Sequence, residues 1–297
     1  MDHEFILFDR LEVIKKTLEQ YGEENFYLSF SGGKDSTVVH YLLDMALPGN
    51  RIPRVFINTG IEYNAIVNFV EKMAEKDDRV VIIKPQKAIK ETLEKYGYPF
   101  KSKEHAKKVD QWQRHHKMTN YLIKYLDDET KSKFKCPEVL KYQFTDENDL
   151  KISHLCCLKL KKEPVHKWEK EQNKPIYITG IRSGEGGQRS NIKGCAIFQN
   201  GKLRNFHPLL PISDQWEEWF IQTKQIKLCE LYYEPFNFKR TGCKGCPFAL
   251  TLQEQLETME KYLPGERKQC EFIWKPVYDE YRRIGYRLKK EEQLKLF

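Results

Sequence analysis

Residues 26–37 read Phe26-Tyr27-Leu28-Ser29-Phe30-Ser31-Gly32-Gly33-Lys34-Asp35-Ser36-Thr37, and their reading decides the fold. Phe26 to Phe30 alternates aromatic and aliphatic side chains as a buried strand does. The pattern breaks at Ser31-Gly32-Gly33 and resumes at helical spacing with Val38, Val39, Tyr41, Leu42 and Leu43. A strand, a glycine turn and a helix start form a phosphate cradle. Two glycines let the backbone turn and approach a ligand closely, while free N–H groups and the helix dipole favour an anion. Lys34 adds a cation, and Ser31, Ser36 and Thr37 add hydroxyls. The glycine-to-lysine spacing is not that of the GxxxxGK[ST] loop. Gly-Gly alone also occurs in ordinary βα turns, but Ser-Gly-Gly-Lys-Asp-Ser between a strand and a helix is far rarer.

Working outward, residues 5–21 place Phe5, Leu7, Phe8, Leu11, Ile14 and Leu18 at helical spacing, as a helix covering the sheet would. Pro53 to Gly60 reads as a second strand with a turn at its carboxyl end. Ligands of open parallel sheets bind beyond such ends, so Asn58, Thr59, Gly60 and Glu62 are expected to face a nucleotide. A helix over 65–74, a third strand over 79–84 and a fourth over 175–180, ending at Gly180, continue the pattern. The expected class is therefore α/β, a mostly parallel five-stranded doubly wound sheet with a helical insertion and a helical C-terminal region. The expected division is 1–235, a nucleotide-binding domain that includes the insertion 96–150, and 236–297, a cysteine-pair segment with C-terminal helices packed on it.

A chain of 297 residues with a hydrophobic fraction of 40% supports a sizeable core. No run of 18 apolar residues exists and Met1-Asp2-His3-Glu4 is acidic, so a cytoplasmic protein without a membrane partner is expected. The formal charge of +8 favours polyanionic partners. Between 101 and 135, ten Lys or Arg stand against five Asp or Glu, interleaved with Trp112, Tyr121, Tyr125 and Phe134. Such a stretch suits a nucleic-acid backbone and its bases, and equally a solvated helix pair. His115 and His116 are adjacent and point to different faces of a helix, which argues against shared metal ligation.

Eight cysteines without an export signal point to metal or redox chemistry. Cys156-Cys157 is one pair and Cys243-Lys244-Gly245-Cys246 another. Four thiolates suit an iron-sulfur cluster or zinc, and an adjacent pair is unusual for tetrahedral zinc, which favours a [4Fe-4S] cluster. Cys136, Cys195 and Cys229 read as small buried hydrophobes.

The loop resembles the SGGxDS pyrophosphate signature of the adenine nucleotide alpha-hydrolase (PP-loop) superfamily, whose members split ATP between its alpha and beta phosphates. CCxxxKKxP at 156–164 followed by GCxxCP at 242–247 is similar to the cluster pattern of iron-sulfur members of the phosphoadenosine phosphosulfate reductase family. Thr179 to Arg189 resembles that family's TGxRxxExxxR segment, which implies Arg182 and Arg189 as anion ligands and Glu185 as their support. VFINTGIEY carries Asn58 where an aspartate is more usual. His207 to Trp216 resembles the PLxxW segment without its early tryptophan, with Ser213 or Asp214 capping a helix.

The resemblance implies adenylation. Lys34 and Mg²⁺ neutralise the pyrophosphate leaving group, Asp35 places the metal or the loop, and sulfur then replaces AMP on an acceptor. ATP, Mg²⁺ and a [4Fe-4S] cluster on Cys156, Cys157, Cys243 and Cys246 are the implied cofactors. A sulfur-donor protein such as a cysteine desulfurase and a nucleic acid are the implied partners. The combination of loop and cluster resembles the ATP-pyrophosphatase component of DNA phosphorothioation systems. Two alternatives remain: an APS or PAPS reductase, with Cys270 the nearest substitute for its catalytic thiol, and a nucleotide-sensing or nucleic-acid-binding module without enzymatic activity.

Overall fold

A computed structural model of the chain describes residues 2–127, 129, 135–185 and 191–290, with only the backbone of Glu185. The helices in chain order are α1 (His3–Tyr21), α2 (Lys34–Ala46), α3 (Asn64–Ala74), α4 (Ile89–Tyr96), α5 (Lys103–His115), α6 (Asn120–Leu126), α7 (Glu163–Glu171), α8 (Asp214–Thr223), α9 (Leu252–Tyr262) and α10 (Pro264–Ile284). The strands are β1 (Phe26–Ser29), β2 (Arg54–Ile57), β3 (Val80–Ile83), β4 (Ile176–Ile178), β5 (Ala196–Gln199) and β6 (Lys202–Phe206). The chain divides into two compact units. The first comprises 1–58, 62–84 and 164–242, and the second 59–61, 85–163 and 243–297, so the helical insertion groups with the C-terminal helices.

The first unit is a sheet in the order β3-β2-β1-β4-β6-β5. Five strands run parallel, as the alternation of strands and helices requires. The sixth, β5, is antiparallel to β6 and adds an edge to the expected five. The hairpin turns on Asn200 and Gly201, at φ 51° and 73°, the positive values that an Asn-Gly turn supplies with little strain. Strand order reverses between β1 and β4, and open α/β sheets bind ligands in the crevice at such a switch point.

Phe26, Leu28, Val55, Phe56 and Ile178 are buried in the sheet, while Val38, Val39, Leu42 and Leu43 bury the inner face of α2. A charged network fastens α2 to β2 and β3. The wholly buried Arg54 guanidinium donates to His40 Nδ1 (3.1 Å), Asn50 Oδ1 (2.7 Å) and Asp44 Oδ1 (2.7 Å), and Arg79 donates to the same Asp44 oxygen at 2.7 Å. Burial, then the Arg54 charge, pushes the His40 imidazole down to about 4.

In the second unit, Ser102 caps α5 by accepting from the His105 N–H. The buried His105 ring bridges Tyr125 Oη (2.8 Å) and Gln143 Oε1 (2.7 Å). α10 presents Cys270, Ile273, Trp274, Val277, Tyr278 and Tyr281 along one buried face. Among the described residues no helix is long and apolar enough to cross a membrane.

Candidate active site

The glycine turn is built from β1 into α2. Gly32 has φ 67°, and a Cβ there would stand 2.8 Å from Val70 Cγ2 and 3.0 Å from Ile66 Cγ2 of α3. Conformation and space both demand glycine. Ser31 Oγ lies 3.0 Å from Ser36 Oγ and accepts from the Gly33 N–H at 3.3 Å; Ser36 and Thr37 hydroxyls donate to the Gly33 carbonyl at 2.9 and 3.0 Å. The serine and threonine side chains therefore fix the shape of the loop. Gly33, the residue before α2, lacks a side-chain cap. Instead Tyr232 Oη accepts from the Lys34 N–H at 3.0 Å and lies 2.7 Å from Thr241 Oγ1. A tyrosine oxygen thus occupies a donor at the positive end of α2, where an anion's oxygen would bind.

β4 supplies the other wall. A Cβ on Gly180 would lie 2.8 Å from the Asp35 carbonyl carbon and oxygen, so the strand end and the helix start meet backbone to backbone. Two residues later, Arg182 is buried at 8% exposure. Its Nε donates to Asp35 Oδ1 at 2.7 Å, its Nη1 pairs with Asp214, and its Nη2 lies 3.4 Å from Glu217 Oε2. Asp35 is thus engaged in placing the loop against Arg182. Of the two candidate caps of α8, Ser213 is the one that caps, accepting from the Trp216 N–H at 3.2 Å, which leaves Asp214 to reach Arg182. Arg182 holds the Asp214 carboxyl below its ordinary value.

Glu217 is the residue that sequence reasoning did not single out. It lies on the buried face of α8, its side chain has no exposure, and its Oε2 is 3.0 Å from Lys34 Nζ. Burial, followed by the Asp35 charge, raises its carboxyl to about 7 against the pull of Lys34 and Arg182. Its only sequence signal is its place on α8 between Trp216 and Phe220, both core residues. A cavity of about 700 Å³ opens beside this cluster, lined by Lys34, Arg182, Asp214, Tyr232, Tyr233, Phe238, Lys239 and Arg240 among others.

The structure brings together Ser31, Gly32, Gly33, Lys34, Asp35, Ser36, Thr37, Gly180 and Arg182 in the first unit. Asn58 follows β2 there, its N–H donating to the Ile83 carbonyl at 2.9 Å, and Glu62 is buried in the same unit. Thr59 and Gly60 group with the second unit, where Gln269 donates to the Gly60 carbonyl. Arg189 and the Glu185 side chain lie outside the described residues.

The four candidate cysteines all fall in the second unit, and none of the eight cysteines is in a disulfide. Three donors from α10 hold the Cys243–Cys246 turn: Trp274 Nε1 to the Lys244 carbonyl (3.2 Å), Tyr281 Oη to the Pro247 carbonyl (2.9 Å), and Tyr278 Oη to the Gly245 carbonyl. Gly245 has φ 59°, and a Cβ there would lie 2.9 Å from Cys270 Sγ. Lys244 is buried against Glu266 at 3.2 Å. Cys157 leads into a wide helical turn, Leu158–Lys162. Burial, then the charges of Cys157, Cys243 and Cys246, raises the Cys156 thiol well above its ordinary value; burial and Cys243 raise Cys246 to about 12. Among the described residues, no group of three or more His, Cys, Asp or Glu is drawn into a metal-holding arrangement. Two of the insertion's cations are matched within it: Lys108 is buried on Glu104 and the Tyr125 ring, and Arg114 pairs with Asp110.

A glycine loop at the switch point of a parallel sheet, with a lysine and an arginine converging on it, defines a PP-loop type of nucleotide-binding α/β protein. The chain belongs to the phosphoadenosine phosphosulfate reductase domain family, which matches residues 25–134 and 128–249. It is 26% identical over 276 residues to an uncharacterised protein of Methanocaldococcus jannaschii, covering 91% of this chain and 53% of that protein. The chain thus spans about half the length of the curated relative it matches. Among solved structures it is similar to a phosphoadenylyl-sulfate reductase of Candida auris in a phosphate complex (16% identity, TM-score 0.44, 78% of this chain and 93% of that one). It is also similar to the U34-tRNA thiolase NcsA of Methanococcus maripaludis with its [4Fe-4S] cluster (15% identity, TM-score 0.39, 97% and 82%).

Proposed function

We propose that the chain is an ATP pyrophosphatase of the phosphoadenosine phosphosulfate reductase family that adenylates an acceptor in sulfur transfer. The carrying observation is the intact loop Ser31–Thr37 with Lys34 and Arg182 converging on it at the switch between β1 and β4. The loop's N–H groups and Lys34 hold the beta and gamma phosphates. Arg182, fixed by Asp35 and Asp214, meets the charge that develops as the bond between the alpha phosphorus and the bridging oxygen breaks. An acceptor oxygen forms the new bond to that phosphorus, pyrophosphate leaves, and a sulfur nucleophile then displaces AMP. The cavity beside Lys34 is the acceptor's approach.

Mg²⁺ binds largely through phosphates and a few carboxylates, so the ion would be carried in on ATP. Bound there, it would neutralise leaving-group charge. A [4Fe-4S] cluster would be held by Cys156, Cys157, Cys243 and Cys246, which fall in one compact unit, and would supply electron transfer, sulfur carriage or a structural staple. A nucleic acid is the proposed acceptor, and a sulfur-donor protein the proposed partner.

The test is incubation of anaerobically purified protein with alpha-labelled ATP, Mg²⁺ and candidate acceptors. Pyrophosphate release with AMP-labelled acceptor is expected. Reduction of phosphoadenosine phosphosulfate to sulfite at a comparable rate would overturn adenylation in favour of the reductase.

A further inference from the structure

We propose that Glu217 is a positioning residue that holds Lys34 and Arg182 in the unliganded site and takes up a proton when a polyphosphate draws those cations away. The inference rests on the ATP-binding reading given above and concerns the regulation of that same site.

The geometry carries it. The Glu217 side chain is completely buried, and neither carboxylate oxygen has a well-formed hydrogen bond. Its compensation consists of two ion pairs, Lys34 Nζ at 3.0 Å from α2 and Arg182 Nη2 at 3.4 Å from the segment after β4. The same two cations are those the loop offers to phosphates. Asp35 on α2 and Asp214 on α8 share Arg182, so two cations face three carboxylates before any ligand arrives. Glu218, Lys239 and Arg240 line the cavity beyond, and Tyr232 stands over the Lys34 N–H.

A polyphosphate brings several negative charges to Lys34 and Arg182, the two cations that compensate Glu217. Like charge and loss of a counter-ion both disfavour a buried carboxylate. Of the three acids, Asp214 is exposed and Asp35 partly so, and both keep direct bonds to Arg182. Glu217 has a completely buried side chain compensated by the ion pairs with Lys34 and Arg182, and its carboxyl is already raised to about 7. It is therefore the group that protonates. The sign follows. The unliganded protein has Glu217 increasingly ionised above pH 7 and the liganded protein keeps it protonated, so ATP affinity falls as pH rises above about 7, up to tenfold per unit.

The experiment is calorimetric titration of the holoprotein with Mg·ATP and a non-hydrolysable analogue at pH 8, in buffers of different ionisation enthalpy, for wild type and Glu217→Gln. Wild type is expected to take up close to one proton more than the variant. Glu217→Gln, which mimics the protonated acid, is expected to bind at least as tightly at pH 8 and to lose the pH dependence. Equal proton uptake in the two proteins overturns the proposal, as does a folded Glu217→Gln that no longer binds. If the variant fails to fold, the wild type decides alone: buffer-independent heats at pH 8 refute proton uptake. Wild type that binds no adenine nucleotide refutes the ATP reading itself, an outcome distinct from binding without proton uptake.

Discussion

Replacing Gly180 by alanine perturbs a close backbone contact between the segment after β4 and the start of α2. The new Cβ would stand 2.8 Å from two backbone atoms of Asp35, and ordinary contact begins at 3.4 Å, so the strand end and the helix start must part by about 0.6 Å (3.4 − 2.8). Backbone cannot swing aside as a flexible side chain does. Overpacking of this kind costs about 1–3 kcal/mol. At roughly 2–4 °C per kcal/mol for a chain of a few hundred residues, Tm should fall by about 2–12 °C. The displacement also carries Arg182 off Asp35, now 2.7 Å away, and off Glu217 at 3.4 Å. Misplacement approaching 1 Å costs up to about 100-fold, so turnover should drop about 10- to 100-fold. Gly265→Ala is the control, because nothing lies within 4 Å of its Cβ position. Thermal melts and pyrophosphate release from ATP provide the readouts. Gly180→Ala that melts with wild type and turns over normally would refute the argument that this contact aligns the site.

Lys34→Ala should lower pyrophosphate release by about 100- to 1,000-fold, with little change in Tm, because the Glu217 carboxyl it abandons is already raised to about 7 and can take a proton. Anaerobically purified protein should contain about four irons per chain; Cys246→Ser should lose them and Cys229→Ser should not, and stoichiometric zinc without iron would contradict the cluster. Burial lowers both His40 and His105 to about 4. Between about pH 6.5 and 4 the unfolded chain therefore binds more protons than the folded one, and stability should fall with pH there, by up to about 3 kcal/mol per histidine; a urea midpoint flat from pH 7 to 4.5 would exclude this. If the insertion's exposed cations follow a phosphate backbone, Lys107→Glu with Lys117→Glu and Lys124→Glu should flatten the salt dependence of nucleic-acid binding and leave ATP binding intact; an unchanged log-log slope would mark the insertion as a solvated cover.

Much of the sheet is legible locally. Strand alternation, the glycine pair and the helical run after it are nearest-neighbour patterns, so β1, the loop and α2 follow from residues 26–43 alone, and β2, β3 and β4 follow from short apolar runs ended by Pro or Gly. The β5–β6 hairpin was equally local in its Asn200-Gly201 signal, but its flanking strands are too exposed to alternate clearly: Ala196, Phe198 and Gln199 all face solvent. The choice of Ser213 over Asp214 as the cap of α8 was decided by Arg182, a residue 32 positions before the aspartate it competes for.

Charge was least legible, because sequence counts charges and only tertiary structure pairs them. Lys108 reads as part of a basic surface and is instead buried on Glu104 and Tyr125. Glu217 reads as one more acidic residue of an amphipathic helix, yet it is the buried counter-ion of the loop lysine, 183 positions away in sequence. The sequence by itself determined that a glycine turn, the proposed phosphate cradle, lies between a strand and a helix, since glycine conformation and hydrophobic period are local. Which acids and cations complete that cradle was decided by the reversal of strand order between β1 and β4, which brings the segment after β4 beside the loop. Burial then fixes their charge, by removing the water that would otherwise stabilise each ion alone.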